Sequence, residues 1–126
     1  MSSPTLLKTI AERKGYGGYQ RHILLCTGEG PCTEGASAEH LWQYLKQRLQ
    51  VLEPDVLHPT IGRSKTDCLR ICKAGPVALV YPEGTLYYGL DEAKLERVIV
   101  EHLFGGKPVE EYAIMHAPLQ SRGTVR

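Results

Sequence analysis

Four stretches of the chain show the hydrophobic patterns of β-strands. Residues 21–26 are short, apolar and bounded by turn residues, which predicts a strand. A continuous apolar run at 76–81 predicts a buried strand, and residues 86–90 return after a short turn as its hairpin partner. A further strand is predicted around residues 58–63. Pro59 favours an edge position or a late start for this strand, because proline cannot donate to a β-ladder.

Two other stretches repeat apolar residues at the spacing of an amphipathic α-helix. The first is predicted to begin at an N-cap, Ser37, and to end before Pro54. Its apolar positions are Leu41, Leu45, Leu49 and Leu52. The second is predicted to begin after Asp91 and to end at the Gly105-Gly106 pair. Its apolar positions are Leu95, Val98, Ile99, His102 and Leu103. This periodicity predicts that His102 is a hydrogen-bonded histidine of the core or of its boundary.

The order strand, helix, strand, strand, strand, helix indicates an α/β domain. Strands joined through a helix are expected to be parallel with a right-handed crossover, whereas the hairpin strands are antiparallel. The predicted fold is therefore a thioredoxin-like, mixed four-stranded sheet flanked by helices. We expect an N-terminal arm at residues 1–20, a single domain at 21–116 and a flexible tail at 117–126.

Composition and charge exclude several classes of protein. The formal net charge is +1, so the chain lacks the strong basic excess that is typical of nucleic-acid-binding domains. The longest apolar runs are too short to cross a membrane, and the first residues lack the apolar core of a signal peptide. We therefore expect a cytoplasmic protein in a reducing compartment, where thiolates are available as metal ligands.

The four cysteines come as two close pairs. Five residues separate Cys26 from Cys32, and three separate Cys68 from Cys72. Glycines lie in or beside both pairs, and glycine lets the backbone turn its N–H groups toward a negative centre. Two thiolate pairs on glycine-containing loops are what a metal ion or an inorganic cluster requires.

Several kinds of site are compatible with four cysteines. An iron–sulfur cluster and a zinc ion both accept four thiolates, but structural zinc sites favour shorter spacings than that of Cys26 and Cys32. Two disulfides satisfy the count, although nothing in the chain indicates export. The C-x-x-C spacing of thioredoxin-like redox sites is absent. Four buried, inert thiols remain the simplest alternative. Spacing alone favours iron–sulfur over zinc and leaves the other readings open.

Three motifs carry a resemblance to a known family. They are DCLRICKAGPV at 67–77, YPEG at 81–84 and HLFGGKPV at 102–109, and they follow the first cysteine pair in register. Together they resemble the thioredoxin-like [2Fe–2S] ferredoxins, also called Shethna-type ferredoxins, over residues 20–114. The short loop between the first two cysteines is similar to that of the related iron–sulfur subunits of respiratory complex I and of hydrogenases.

The resemblance implies a one-electron carrier rather than an enzyme, with one [2Fe–2S] cluster per chain. It implies that Cys26, Cys32, Cys68 and Cys72 are the ligands, the first pair on one iron and the second pair on the other. It also implies a homodimer, for which the hairpin residues Tyr87 and Tyr88 offer a contact surface.

Partners and rival functions follow from the same residues. The expected partners are a redox protein that donates an electron and another that accepts it. Four basic residues near the second cysteine pair could steer an acidic partner: Arg63, Lys65, Arg70 and Lys73. The alternatives are an iron–sulfur subunit of a larger oxidoreductase and a zinc-stabilised structural or adaptor domain.

Overall fold

The computed structural model describes residues 3–28, 36–55, 57–71 and 75–120. Three α-helices lie in these ranges: α1 (Pro4–Arg13), α2 (Ala36–Leu52) and α3 (Glu92–Arg97). The last of these continues as a π-helical segment, Val98–Phe104, and a 3₁₀ turn follows at Glu110–Tyr112. The strands are β1 (Arg21–Cys26), β2 (Ile61–Thr66), β3 (Ala78–Tyr81), β4 (Thr85–Tyr87) and β5 (Ala113–His116).

The strands form one mixed sheet in the order β2-β1-β3-β4-β5. Strands β1 and β2 are parallel, as predicted, and all other neighbours are antiparallel. Strand β2 begins at residue 61 rather than at 58 and lies at the edge of the sheet. Both features match what Pro59 indicates, since a ladder can begin only beyond a residue that lacks an N–H.

The sheet has five strands, so the prediction of four was wrong. The additional strand β5 pairs antiparallel with β4, and the Ala117 N–H donates to the Gly84 carbonyl 2.7 Å away. It comes from the chain after the last helix, where no strand was predicted. Four residues, of which Ala113 is partly buried and the other three are exposed, give too little alternation to predict a strand, and the neighbouring edge of β4 supplies the pairing.

The hydrophobic core lies on one face of the sheet. Alternation along the strands turns one set of side chains toward α2, α3 and the π-helical segment, and these side chains form one cluster with the helices. The buried strand residues of this cluster are Ile23, Leu25, Ile61, Ala78, Val80 and Tyr87. All five predicted apolar positions of the last helix are buried, including His102.

Of the two predicted helix N-caps, one is confirmed and the other is wrong. The Asp91 carboxylate accepts the Lys94 N–H at 2.8 Å and caps α3, as predicted. Helix α2 begins at Ala36, so the predicted N-cap Ser37 lies inside its first turn. In the arm, Ser3 caps α1, whose residues all remain at least partly exposed. Within the described ranges, no helix is long and apolar enough to cross a bilayer.

Candidate functional site

Two parallel strands bring two of the cysteines to the same edge of the sheet. Cys26 is the last residue of β1 and lies opposite Thr66, the last residue of β2. Cys68 follows two residues later. The ladder continues past the strand ends, because the Thr27 N–H donates to the Thr66 carbonyl at 2.8 Å. The carboxyl ends of neighbouring strands are where open α/β sheets usually hold their sites.

The first cysteine is held inside the protein. Cys26 is 1% exposed, and its Sγ atom lies 3.5 Å from the Asp67 carbonyl oxygen. Gly28 approaches the same peptide group so closely that a Cβ atom there would lie 2.7 Å from the Asp67 carbonyl carbon. Only glycine allows this approach without moving a backbone. The loops after β1 and β2 are therefore in direct contact.

The second cysteine is exposed and belongs to a tight turn. The Cys68 Sγ atom accepts a hydrogen bond from the Arg70 N–H at 3.1 Å. Arg70 has a φ of +68°, a left-handed conformation that is uncommon outside glycine and that turns the chain between the two predicted ligands. A backbone N–H that points at a cysteine sulfur stabilises negative charge on that sulfur.

The structure describes only half of the predicted ligand residues. It places Cys26 and Cys68 on touching loops, whereas Cys32 and Cys72 lie outside the described residues, as does Lys73. Within the described part, no three His, Cys, Asp or Glu side chains form a group that could hold a metal ion. The two placed sulfurs fit a thiophilic metal or cluster, since one comes from a buried strand end and the other receives an N–H donor.

Comparisons with known proteins decide the family. The chain is 33% identical over 98 residues to a putative 2Fe-2S ferredoxin of Priestia megaterium, covering 77% of this chain and 72% of the relative. It is 29% identical over 101 residues to a 2Fe-2S ferredoxin of Aquifex aeolicus, covering 75% of this chain and 88% of that protein. The chain belongs to the 2Fe-2S ferredoxins. No protein-family profile matches it.

Solved structures agree with the fold of the ferredoxin. The wild-type thioredoxin-like [2Fe-2S] ferredoxin of Aquifex aeolicus superposes with a TM-score of 0.67 at 25% identity. The superposition covers 77% of this chain and 98% of that structure. The predicted thioredoxin-like α/β fold is therefore confirmed, with the fifth strand as the correction to its sheet.

The basic residues near the site are not equivalent in the ferredoxin. Arg63 and Arg70 are exposed. Lys65 is also exposed, but its ammonium group lies 3.8 Å from the Glu39 carboxylate and 6.0 Å from the centre of the Trp42 ring. Part of the Lys65 charge is therefore balanced locally, so Arg63 and Arg70 are the cations that remain for a partner within the described residues.

At the opposite end of the sheet, buried and partly buried polar side chains hydrogen-bond to one another. The Glu83 carboxylate accepts two hydrogen bonds from Arg21, at 3.0 and 3.2 Å, and lies 2.7 Å from Nε2 of His102. The other ring nitrogen of His102 lies 2.8 Å from the Tyr87 hydroxyl, which also accepts the Val109 N–H at 2.9 Å. We call Arg21, Glu83, His102 and Tyr87 the buried network.

The sequence pattern indicated only part of this network. The prediction of a hydrogen-bonded core histidine is confirmed at His102, which is fully buried. The partners Arg21 and Glu83 were not predicted, because they are 62 residues apart in sequence. Tyr87 was expected at the surface of the hairpin and is instead fully buried. The turn motif that contains Glu83 was visible as part of the family resemblance, but its role depends on tertiary contacts.

Proposed function

We propose that this ferredoxin is a one-electron carrier that holds one [2Fe–2S] cluster through Cys26, Cys32, Cys68 and Cys72. The observation that carries the proposal is the contact between the loops after β1 and β2, which brings Cys26 and Cys68 to one edge of the sheet. A bound cluster supplies reversible one-electron chemistry. The chain itself holds the thiolates, buries the Cys26 sulfur and donates the Arg70 N–H to the Cys68 sulfur.

The spacing of the second pair supports its role as ligands. Two of the solved Aquifex aeolicus ferredoxin structures are variants in which a cysteine is replaced by serine, and the two replaced cysteines lie four positions apart. Cys68 and Cys72 have the same separation. We assign Cys26 and Cys32 to one iron and Cys68 and Cys72 to the other.

The chain is proposed to tune electron transfer rather than to catalyse a reaction. N–H donors to sulfur stabilise the reduced, more negative cluster and so raise its reduction potential. The Arg70 N–H, 3.1 Å from the Cys68 sulfur, is such a donor. The redox partners are a protein donor and a protein acceptor in the cytoplasm. The exposed Arg63 and Arg70 favour an acidic surface on at least one of them.

The protein is further proposed to be a homodimer. Of the two hairpin tyrosines expected at the contact, Tyr87 is fully buried and cannot contribute. Tyr88 is 40% exposed and remains available. Gel filtration of a native extract distinguishes a free homodimer from a subunit of a larger oxidoreductase. The free homodimer would elute at the size of two chains, whereas the subunit would elute with the larger complex.

Anaerobic purification with metal analysis tests the cofactor. We expect about two iron atoms and about two acid-labile sulfides per chain, with a reddish-brown colour and an EPR signal on one-electron reduction. A colourless protein that contains stoichiometric zinc would reject the proposal, because zinc has no visible charge-transfer band. An intact cluster found only in a larger native complex would instead support the subunit alternative.

A further inference from the structure

Helix α1 lies outside the hydrophobic core. It has ten residues and buries none of them, and Ala11 alone among them is partly covered. The turn behind the helix holds the arm to the body, because the Gln20 N–H donates to the Thr60 carbonyl at 2.6 Å. A helix this short is only marginally stable in water without packing against another surface. Helix α1 therefore offers a surface that the described part of the chain leaves uncovered.

The large apolar side chains of α1 form one face. Leu6 and Leu7 lie four and three residues before Ile10, which places all three on the same side of the helix. They are between 41% and 52% exposed. The opposite side is polar and consists of Thr5, Lys8, Thr9 and Glu12. An amphipathic helix whose apolar face meets solvent is typical of a segment that binds a surface outside its own domain. We call Leu6, Leu7 and Ile10 the α1 face.

Positive charge collects beside the α1 face. Arg13 and Lys14 lie seven residues after Leu6 and Leu7, so they continue the same side of the helix to its C-terminal end. Residues 1–20 contain three basic residues and one acidic residue, which is a net charge of +2. The whole chain has a net charge of +1, so the remaining residues sum to −1. The arm is thus the positive part of a molecule that is otherwise slightly negative.

The pattern of the α1 face favours one kind of binding surface. A groove in another protein holds a helix by apolar anchors that repeat to the i+7 position. In α1 the i+7 positions are the basic residues Arg13 and Lys14. A second copy of the arm would oppose like charges. An anionic lipid surface accommodates both features, since apolar side chains enter the boundary of the acyl chains while Lys and Arg reach the phosphates.

An exposed tyrosine extends this surface. Tyr16 is 60% exposed, and its ring lies beside that of Tyr19, with 5.3 Å between the ring centroids. The Tyr19 hydroxyl donates to the Lys14 carbonyl at 2.6 Å, which holds the tyrosine pair at the end of the helix. Tyrosine is enriched where a membrane meets water, because its ring is apolar and its hydroxyl is polar. The helix end therefore combines cations and aromatic rings, the residues that suit lipid headgroups.

We propose that this ferredoxin binds reversibly to anionic membranes through α1, with the α1 face at the boundary of the acyl chains and Arg13 and Lys14 against lipid phosphates. The helix joins the body at the amino end of β1, whereas Cys26 lies at the carboxyl end of that strand, about 17 Å away. The attachment point is therefore remote from the cysteine edge. A single short helix gives weak binding, and salt screens its charged part.

Flotation with lipid vesicles tests the proposal. The full chain is purified anaerobically, and its iron and sulfide are measured so that loss of the cluster is recognised separately from loss of binding. Vesicles of equal parts phosphatidylcholine and phosphatidylglycerol are anionic, and vesicles of phosphatidylcholine alone are the neutral comparison. We expect the protein to float with the anionic vesicles at low salt. The bound fraction should fall severalfold at high salt and with neutral vesicles, because both remove the attraction to the basic residues.

Substitutions separate the apolar part of the binding from the charged part. Ile10→Glu should weaken binding by at least about tenfold. Val100→Glu is its control, because it adds the same charge at a residue that is 47% exposed on the π-helical segment, and it should bind like the natural protein. Lys14→Glu should also weaken binding by about tenfold, whereas Lys107→Glu makes the same charge reversal elsewhere and should not. All four positions are exposed, so the variants should keep the natural visible spectrum.

Several outcomes would overturn the proposal. Equal binding to anionic and neutral vesicles, or equal behaviour of Ile10→Glu and Val100→Glu, would show that α1 is not a contact for anionic lipid. A protein that stays off both kinds of vesicle would show the same. If Ile10→Glu then slowed electron transfer with a redox partner, the α1 face would lie in a groove of that protein. If it instead changed the mass measured by sedimentation, a second copy of the chain would cover the helix.

Discussion

The two ends of the sheet use polar groups in opposite ways. At the cysteine edge, the sulfur atoms of Cys26 and Cys68 contact main-chain groups, and Cys68 is exposed. At the other end, the side chains of the buried network satisfy one another. No side-chain nitrogen or oxygen in the described residues is buried without a hydrogen bond. The cysteine edge therefore pairs its sulfur atoms with main-chain groups, whereas the buried network pairs side chains with one another.

The side chains of the buried network also have shifted pKa values. Burial lowers the pKa of His102, and the Glu83 carboxylate only partly offsets this effect. Burial alone would raise the pKa of Glu83, but hydrogen bonds from Arg21 and His102 bring it below its ordinary value. Burial raises the pKa of Tyr87 to about 12. The arrangement that fits is a neutral His102 that donates from Nε2 to Glu83 and accepts the Tyr87 hydroxyl at Nδ1.

The largest effect is expected at the cysteine edge from Cys68→Ala. Removing the Cys68 thiolate leaves its iron with a single protein ligand, so iron and acid-labile sulfide per chain should fall to near zero. Elemental analysis and the visible spectrum measure this change. Ser64→Ala on the neighbouring strand is the control and should retain the cluster. A Cys68→Ala protein with its natural spectrum would show that Cys68 is not a ligand.

A smaller change at the same edge should also damage the site. In Gly28→Ala the new methyl group overlaps the Asp67 carbonyl, so the loops that carry the cysteines must separate. We expect slower cluster reconstitution and a shifted reduction potential. Gly18→Ala is the matched control, because its Cβ atom would meet nothing closer than 3.6 Å. Equal behaviour of the two variants would contradict the close contact between the loops.

In the buried network, Glu83→Ala should mainly reduce the stability of the fold. It leaves Arg21 without its partner, and the fully buried His102 loses its hydrogen bond. We expect a loss of about 2–3 kcal/mol in the free energy of unfolding, with the reduction potential unchanged. Urea unfolding measures the loss. Glu92→Ala removes a pair with the exposed His40 and should cost no more than about 0.5 kcal/mol.

The buried network also predicts a dependence of stability on pH. Unfolded His102 binds a proton at its ordinary pKa of 6.5, whereas the folded residue resists protonation. Its contribution is therefore complete above the unfolded pKa and is lost as the pH falls through the window below it. His22, whose pKa is also lowered by burial, acts in the same direction. In urea unfolding between about pH 7.5 and 5.5, His102→Gln should reduce the slope of stability against pH.

The smallest expected effect concerns the charge of the cysteine edge. Arg70→Glu reverses an exposed charge beside Cys68, and electron transfer to an acidic partner should slow by about threefold at low salt. The difference should shrink at high salt, because exposed charges are screened within roughly 10 Å. Stopped-flow kinetics measures the rate after the potential of the variant has been checked. Lys8→Glu on α1 is the control, and equal slowing in both variants would exclude local steering.

The sequence alone predicted the fold and, of the two strands that carry the site, the position of β1. Strand β1, the capped last helix and the hairpin were predictable because apolar spacing, Asp91 and the turn residues act locally. The cysteine pairs and their surrounding motifs indicated the ferredoxin family before any interatomic distance was known. The position of β2 was less certain, because Pro59 indicates that a strand is delayed but not by how many residues.

Only the tertiary structure decided which groups meet. Strand β5 forms because it pairs with the edge of β4. The sequence of a four-residue segment does not predict this pairing. The pairing of Arg21 with Glu83 and the burial of Tyr87 depend on where strand ends and a helix meet. The left-handed turn at Arg70 and the close approach of Gly28 are likewise set by packing. Local patterns fix the elements, but long-range packing fixes the contacts that bury, cap or expose each polar group.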